Sequence, residues 1–434
     1  MGLADVIYRR LSGDENGAQA NDITEEAAKH VPRNFLVQVI GSVATKTGDQ
    51  LFSPRLLLTW LMASIGAPAA AISLIVPVRE SLSLLPQITA AAMMRQHAIR
   101  KWFLVGGSVT QAASILLMIT VALLFEGALA GWLLLALLAL FSLGRVFQSI
   151  TSKELTGKTL PKQRRGLAGG TASALAGGGA LLVAAYFIFL DEDDVTVPTL
   201  CVILGIAAAL WLLGAILFAQ LKELPSEVDD DGNGFVNQLK SGLRELKQNR
   251  GFRSFIAVRT GLIGNALVLP MVVMIAFQES KGSAQSLGIL MGGSGLAALL
   301  SSYIWGRLSD KSSRLVLIIV GYLGATLAGV SILIAQMNAS TTRTVLVMLV
   351  FFALAVVHQG TRIGRKTYVI DLANADNRST LVALANTLIG IALILLGGIS
   401  GALSSLGYAW AIGFCALISL GGALLGHGLD DVQS

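Results

Sequence analysis

The sequence predicts an all-α, polytopic membrane protein with twelve transmembrane helices arranged as two six-helix bundles. Three observations carry that prediction. The chain is 54% hydrophobic and only 13% charged, with a mean hydropathy of +0.70, more apolar surface than a soluble fold of 434 residues can bury. About twelve apolar runs of near twenty residues follow one another, each long enough to cross a bilayer. Lysine and arginine then concentrate in alternate connections, as orientation in a membrane requires.

Taken in order, the runs are 34–54 (extending as far as 62), 68–93, 102–124, 132–152, 167–190, 198–221, 254–278, 287–306, 314–336, 344–364, 380–402 and 407–427. They predict a tail at 1–33, a first bundle at 34–221, a linker at 222–253, a second bundle at 254–427 and a tail at 428–434. The basic segments are 95–101, 153–165, 222–253, 306–314 and 365–378, whereas the opposite connections hold only Arg55, Lys281 and Arg343, with an acidic DEDD at 191–194. Both termini are therefore expected on the cytoplasmic side, in a bacterial cytoplasmic membrane. The formal net charge of +6 orients helices and does not recruit nucleic acid. The first 33 residues are polar and lack the pattern of a cleaved signal, so the first helix is expected to insert as its own signal. Cys201 and Cys415 lie in apolar runs and suggest neither a disulfide framework nor a metal site.

The linker carries two local patterns. Asp229, Asp231, Asn233 and Gly234 occupy the first ligand positions of a calcium loop, but Lys240 stands where a bidentate Glu is needed, so a solvated linker is expected. Phe235, Leu239, Leu243 and Leu246 are spaced for the apolar stripe of a short surface helix.

The halves share a repeat. Gly48-Asp49-x-Leu51-x-x-Pro54 recurs as Gly264-Asn265-x-Leu267-x-x-Pro270, displaced by 216 residues, and similar displacements relate Arg145 to Arg362 and Arg165 to Arg378. Parallel six-helix halves joined by a polar linker describe a transporter whose site lies between the halves near the bilayer midplane.

Two motifs carry a family resemblance. GRLSDKSSR at 306–314 resembles the G-x-x-x-D-[RK]-x-G-[RK] loop of the major facilitator superfamily through Gly306, Asp310, Lys311 and Arg314, with Ser313 in place of the second Gly. LFSLGRVFQSI resembles that family's R-x-x-Q-G motif through Arg145 and Gln148, with Ser149 in place of Gly. The resemblance implies two rocking six-helix bundles and alternating access. It gives the loop the role of holding one conformation through charge-assisted bonds. In proton-coupled members such an Arg is linked to proton transfer; an Arg snorkelling to the headgroups is the other reading of Arg145. The corresponding first-half loop keeps Arg100 and Lys101 but contains no carboxylate. Glycines in the fifth run (Gly169, Gly170, Gly177, Gly178, Gly179) and the eleventh (Gly397, Gly398, Gly401) predict close helix contact. The Gly-Pro pair common in the fifth helix of drug–proton exchangers is absent.

Within this frame the intramembrane charges are the candidate working parts. Counted from Asn34, Lys46 lies about 18 Å deep and Asp49 about 22 Å, each at a cost of roughly 2.5–3.5 kcal/mol. Three residues apart on a helix, the two are placed to neutralise each other, and Arg79 and Glu80 lie at comparable depth. Asp49 or Glu80 is expected to bind and release a proton, its affinity switched by movement of Lys46, Arg79 or Arg145. Gln148, Arg259, Asn265, His358 and Arg362 are the candidates for the substrate cavity. The cavity-depth cations favour an anionic or zwitterionic small molecule as partner.

The sequence thus predicts a proton-coupled secondary transporter, monomeric, embedded in the lipid bilayer, without cofactor or metal. Uncoupled diffusion and sodium coupling, with Asp49, Thr45 and Thr47 around the cation, remain open, as does a transporter-like receptor or assembly partner. No P-loop, HExxH or recognisable Ser/His/Asp arrangement points to an enzyme.

Overall fold

The computed structural model describes Tyr8 and residues 23–189, 196–228, 244, 246–372 and 378–433. The acidic 191–194 connection, the calcium-like residues Asp229 to Lys240 and most of the surface-helix stripe lie outside these.

Eleven helices among the described residues are long and apolar enough to cross a membrane. Val31–Phe52, 22 residues long, adds the first span; it carries both Lys46 and Asp49. The second to sixth spans are Ala69–Arg95, Lys101–Leu124, Gly127–Thr159, Lys162–Ile188 and Val197–Ala219. The seventh to twelfth are Arg250–Glu279, Ala284–Lys311, Ser313–Ala335, Thr341–Leu372, Arg378–Leu406 and Tyr408–Gly426.

Several helices overrun the predicted bounds, because hydropathy marks the length that lipid covers and not the point where backbone bonding stops. The fourth span has 33 residues, about 50 Å of helix, and its polar end continues past the apolar run to Thr159. Helix starts follow local capping. Thr196, Asn249 and Ser312 each accept a hydrogen bond from the backbone N–H three residues on.

The first span breaks where Pro54 removes a backbone donor and restricts Ser53, which takes a positive φ of 23°. A π turn, Pro54–Leu58, follows, and an α-helix, Thr59–Ser64, completes the crossing. This break moves Arg55 from the loop that the sequence predicts to mid-span.

The two halves meet along the second and eleventh spans and along the fifth and eighth. Backbones approach closely at both seams. A Cβ on Gly397 would lie 2.1 Å from Pro77 Cγ, and one on Gly288 would lie 2.8 Å from the Ala184 carbonyl oxygen. Four of the glycines singled out in the fifth span, Gly169, Gly170, Gly177 and Gly178, have no neighbour that a Cβ would meet. The fifth, Gly179, approaches the first span, where a Cβ would lie 3.0 Å from Thr47 Cγ2, and at the seam the close contact comes from Gly288 on the partner helix.

The core divides by depth. At the face opposite the N-terminus, one cluster joins both halves, with Trp60, Ile72, Phe187, Leu267, Leu287 and Ile412 among its members. At the N-terminal face, separate clusters sit within the second half (Phe252, Phe255, Leu317, Tyr368) and the first half (Phe35 and Leu160; Leu155 and Phe218). The halves are therefore sealed together at one face and individually packed at the other.

Candidate functional site

A cavity of about 230 Å³ lies where the shared core ends. The first span contributes Asp49 and Arg55, the second Arg79, Glu80 and Ser83, and the fourth Arg145. From the second half come Arg259 on the seventh span and His358, Thr361, Arg362 and Arg365 on the tenth. Leu262, Ile263, Ala266, Ile389 and Leu393 form its apolar wall. Most of these positions fall near the middle of their spans, with Arg259 and Arg365 nearer the N-terminal face.

The charged groups are linked in a chain. Arg145 pairs with Asp49, whose Oδ1 also accepts from Arg79 Nη2 at 3.1 Å. Arg79 Nη1 reaches Glu80 Oε1 at 3.2 Å, and the same oxygen accepts from Arg55 Nη2 at 2.8 Å. Arg55 Nη1 then donates to His358 Nε2 at 2.5 Å, which requires an imidazole unprotonated at that nitrogen. Cation and anion alternate from Arg145 through Asp49, Arg79, Glu80 and Arg55, and the last link crosses to the second half.

The remaining arginines are arranged differently. Arg259 is buried and donates from Nη2 to Asn386 Oδ1 at 3.0 Å; Asn386 in turn donates to Gln87 Oε1 at 3.3 Å, back across to the first half. Arg362 is exposed and donates to the neutral Gln359 side chain at 3.4 Å. Among the described residues, Arg259, Arg362 and Arg365 form no ion pair with a carboxylate. Six arginines thus line the cavity against two carboxylates, an excess of four positive charges.

Residues 255–429 match the family model described as Major Facilitator Superfamily. No curated protein matches the chain. Among solved structures, a POT family transporter in complex with a thioalcohol-conjugated peptide superposes with a TM-score of 0.67 at 13% identity, over 90% of this chain and 95% of that one. The nucleoside transporter NupG gives 0.64 at 13% identity, over 91% and 98%. A bacterial homologue of the iron transporter ferroportin, in an inward-facing state, gives 0.63 at 15% identity, over 92% and 98%. The second half of the chain thus resembles the major facilitator superfamily, and the chain as a whole shares the fold of these solved transporters.

Placed in this facilitator fold, the sequence candidates separate. Asp49, Glu80, Arg79, Arg145, Arg259, His358 and Arg362 line the cavity. Lys46 does not, and it does not pair with Asp49. Its ammonium donates instead to the Gly169 carbonyl at 3.2 Å and Ser173 Oγ at 2.8 Å, both on the fifth span. The first helix packs on the fifth along that side, whereas Asp49 is turned to the second and fourth. Gln148 is not among the lining residues, and Asn265 is buried behind the wall, donating to the Val320 carbonyl at 3.0 Å and to Thr361 Oγ1 at 3.1 Å.

The repeat reappears as a repeated contact. Asp49 bonds Arg145, and Asn265 bonds Thr361; each pair spans 96 residues, and the two are displaced by 216. Thr361, not Arg362, is therefore the counterpart of Arg145.

Two charged cavity residues escaped the sequence reading. Arg55 follows a Pro and reads as a loop residue; the signal was the apolar run continuing to Met62. Arg365 reads as part of a basic connection, yet it lies three residues beyond Arg362 on the same helical face and lines the cavity.

At the superfamily loop, Gly306 to Lys311 end the eighth helix and Arg314 starts the ninth. Arg314 donates to the His427 carbonyl, Ser312 Oγ to Asp431, and the Ser313 N–H to Gln433 Oε1. Asp310 is exposed and makes no ion pair among the described residues. In the first-half loop the missing carboxylates come from elsewhere in the chain. Glu223 accepts from the backbone N–H groups of Arg100 and Lys101 and from Lys158, while Arg100 pairs with Glu154.

Proposed function

We propose that this transporter moves a small anionic or zwitterionic solute by alternating access, driven by protons. The observation that carries the reading is the alternating charge chain at mid-membrane. Two carboxylates on two spans are each held by at least one arginine from another span, and the chain ends on a histidine of the opposite half. Charge placed so deep costs free energy that an apolar side chain would not. Such a chain also gives a switch: separation of the halves strains the Arg55–His358 link, and any loosening of Arg79 or Arg145 leaves a carboxylate free to take a proton.

The orientation proposed from the basic connections makes the N-terminal face cytoplasmic. The shared core at the other face then corresponds to an inward-facing state, the state named for the ferroportin homologue. The solved neighbours are named for a nucleoside and a peptide, so the solute class is argued from this cavity and its excess positive charge.

The test is reconstitution in liposomes with an internal pH dye. Pools of anionic, zwitterionic, neutral and cationic solutes are added outside, with and without a pH gradient. Solute-dependent proton flux, lost in Asp49→Asn or Glu80→Gln, is the expected result. Solute flux unaccompanied by proton flux overturns the coupling.

A further inference from the structure

We propose that Arg259, Arg362 and Arg365 form the binding site for a compact dianion, one bearing two carboxylate groups or one phosphate monoester group. The inference rests on the reading of the central cavity as the solute site and goes beyond it in charge, size and named contacts.

The cavity cations fall into two sets. In the first half, Arg55, Arg79 and Arg145 are engaged by Glu80 and Asp49, which between them meet every one of the three. In the second half, Arg259, Arg362 and Arg365 form no ion pair among the described residues, with Glu80 attracting them only from across the cavity, and Arg259 and Arg362 donate to the neutral amides of Asn386 and Gln359. Arg259 is buried, and its Nε has no partner. Buried charges are ordinarily paired, so the buried Arg259, with half-buried Arg365 and exposed Arg362 on the same wall, makes a recognition site lacking its counter-charge. A monoanion would leave most of that repulsion in place; a dianion removes most of it. Arginine suits the task because its planar fork grips carboxylate and phosphate oxygens two at a time.

Volume limits the ligand. At about 230 Å³ the cavity lies below the roughly 300–1,000 Å³ of pockets that take drug-sized ligands, which suits a compact dianion. Ser83 and Thr361 are the hydroxyl groups on the lining. Leu262, Ile263, Ala266 and Leu393 supply a short apolar wall for a carbon backbone between charged ends.

The experiment is equilibrium binding to the purified protein in detergent at constant ionic strength, read as the shift in its thermal unfolding midpoint. Probes are succinate and malonate in one arm, glycerol phosphate and inorganic phosphate in the other. Acetate, chloride, glycerol and choline serve as comparisons. At least one dianion arm is expected to raise the midpoint, and the arm that does so identifies the head group. Affinity for it should fall about tenfold or more in Arg259→Gln, Arg362→Gln and Arg365→Gln, and be partly restored in Arg365→Lys. Lys366→Gln, an exposed neighbour of like charge that does not line the cavity, should leave it within about twofold.

Without ligand, each Arg→Gln variant should melt no lower than the parent, because mutual repulsion has been relieved. Equal stabilisation by chloride or acetate, no shift with either dianion arm, or a large loss of ligand-free stability in all three variants overturns the proposal. Dianion binding without proton-driven uptake would leave this site standing and defeat the coupling. Driven uptake of a neutral or cationic solute would do the reverse.

Discussion

Cutting the charge chain at different links should have unequal consequences, and the order follows from counting partners. Asp49→Asn leaves Arg145 with no anionic partner among the described residues and Arg79 with one. Breaking a fully buried pair costs about 3–5 kcal/mol, whereas an exposed pair contributes about 0–1 kcal/mol. The Asp49 and Arg145 side chains are 25% and 30% accessible, facing the cavity, so an intermediate loss of about 1–3 kcal/mol is expected. Arg79→Gln, although it removes two ion pairs, divides the chain into Arg145–Asp49 and Glu80–Arg55, each electrically balanced. It should therefore cost less than Asp49→Asn, about 1 kcal/mol or below. The double variant Asp49→Asn/Arg145→Gln should recover most of the stability lost in Asp49→Asn, whereas Lys46→Met/Asp49→Asn should not, because Lys46 bonds to the fifth span. Thermal unfolding followed by tryptophan fluorescence ranks these variants, and the double-mutant cycle isolates the pair. Proton-driven uptake in liposomes should be lost whenever Asp49 is absent, including in the stabilised double variant. If Arg79→Gln proves more damaging than Asp49→Asn, or if Lys46→Met performs the rescue, the alternating-chain reasoning fails.

Other outcomes follow from the seams and faces. Gly397→Ala places a methyl group against Pro77 and should weaken the seal between the second and eleventh spans. A cysteine at Ile72, buried in the shared core, should then react with an impermeant thiol reagent, and equal protection in parent and variant would show that the seal does not depend on this approach. For topology, cysteines at 283 and 340 should label from outside intact cells and those at 153 and 227 should not; Cys201 and Cys415 are buried and give little background. Any cytoplasmic site that labels from outside would break the orientation. Asp310→Asn should slow transport while solute affinity stays within about threefold, because Asp310 lies exposed at the end of the eighth helix, far along the chain from the cavity lining. Unchanged transport would reduce the loop to a topological signal.

One-dimensional physics governs what can be read along this chain. Hydropathy over twenty-residue windows placed the spans, since each must cover the same thickness of lipid with its own side chains. The 216-residue repeat exposed the two halves, and the depth of Asp49, Arg79, Glu80 and Arg145 marked the region of the cavity. Partner choice depends on how the helices pack. Lys46 and Asp49 are three residues apart on one helix, which made them look like a pair; different neighbours on the two sides of that helix send Lys46 to the fifth span and Asp49 to arginines 30 and 96 residues away. Arg55 became a cavity residue because Pro54 forces a break and a π turn that carry the helix on, a backbone event that hydropathy does not register. The carboxylates serving the first-half loop, Glu154 and Glu223, lie 54 and 123 residues from Arg100. A charge seeks whatever opposite charge the packing brings within a few ångströms, and the low-dielectric interior makes that choice strong. Sequence spacing predicts only the neighbours along one helix; the helices packed against it decide the rest.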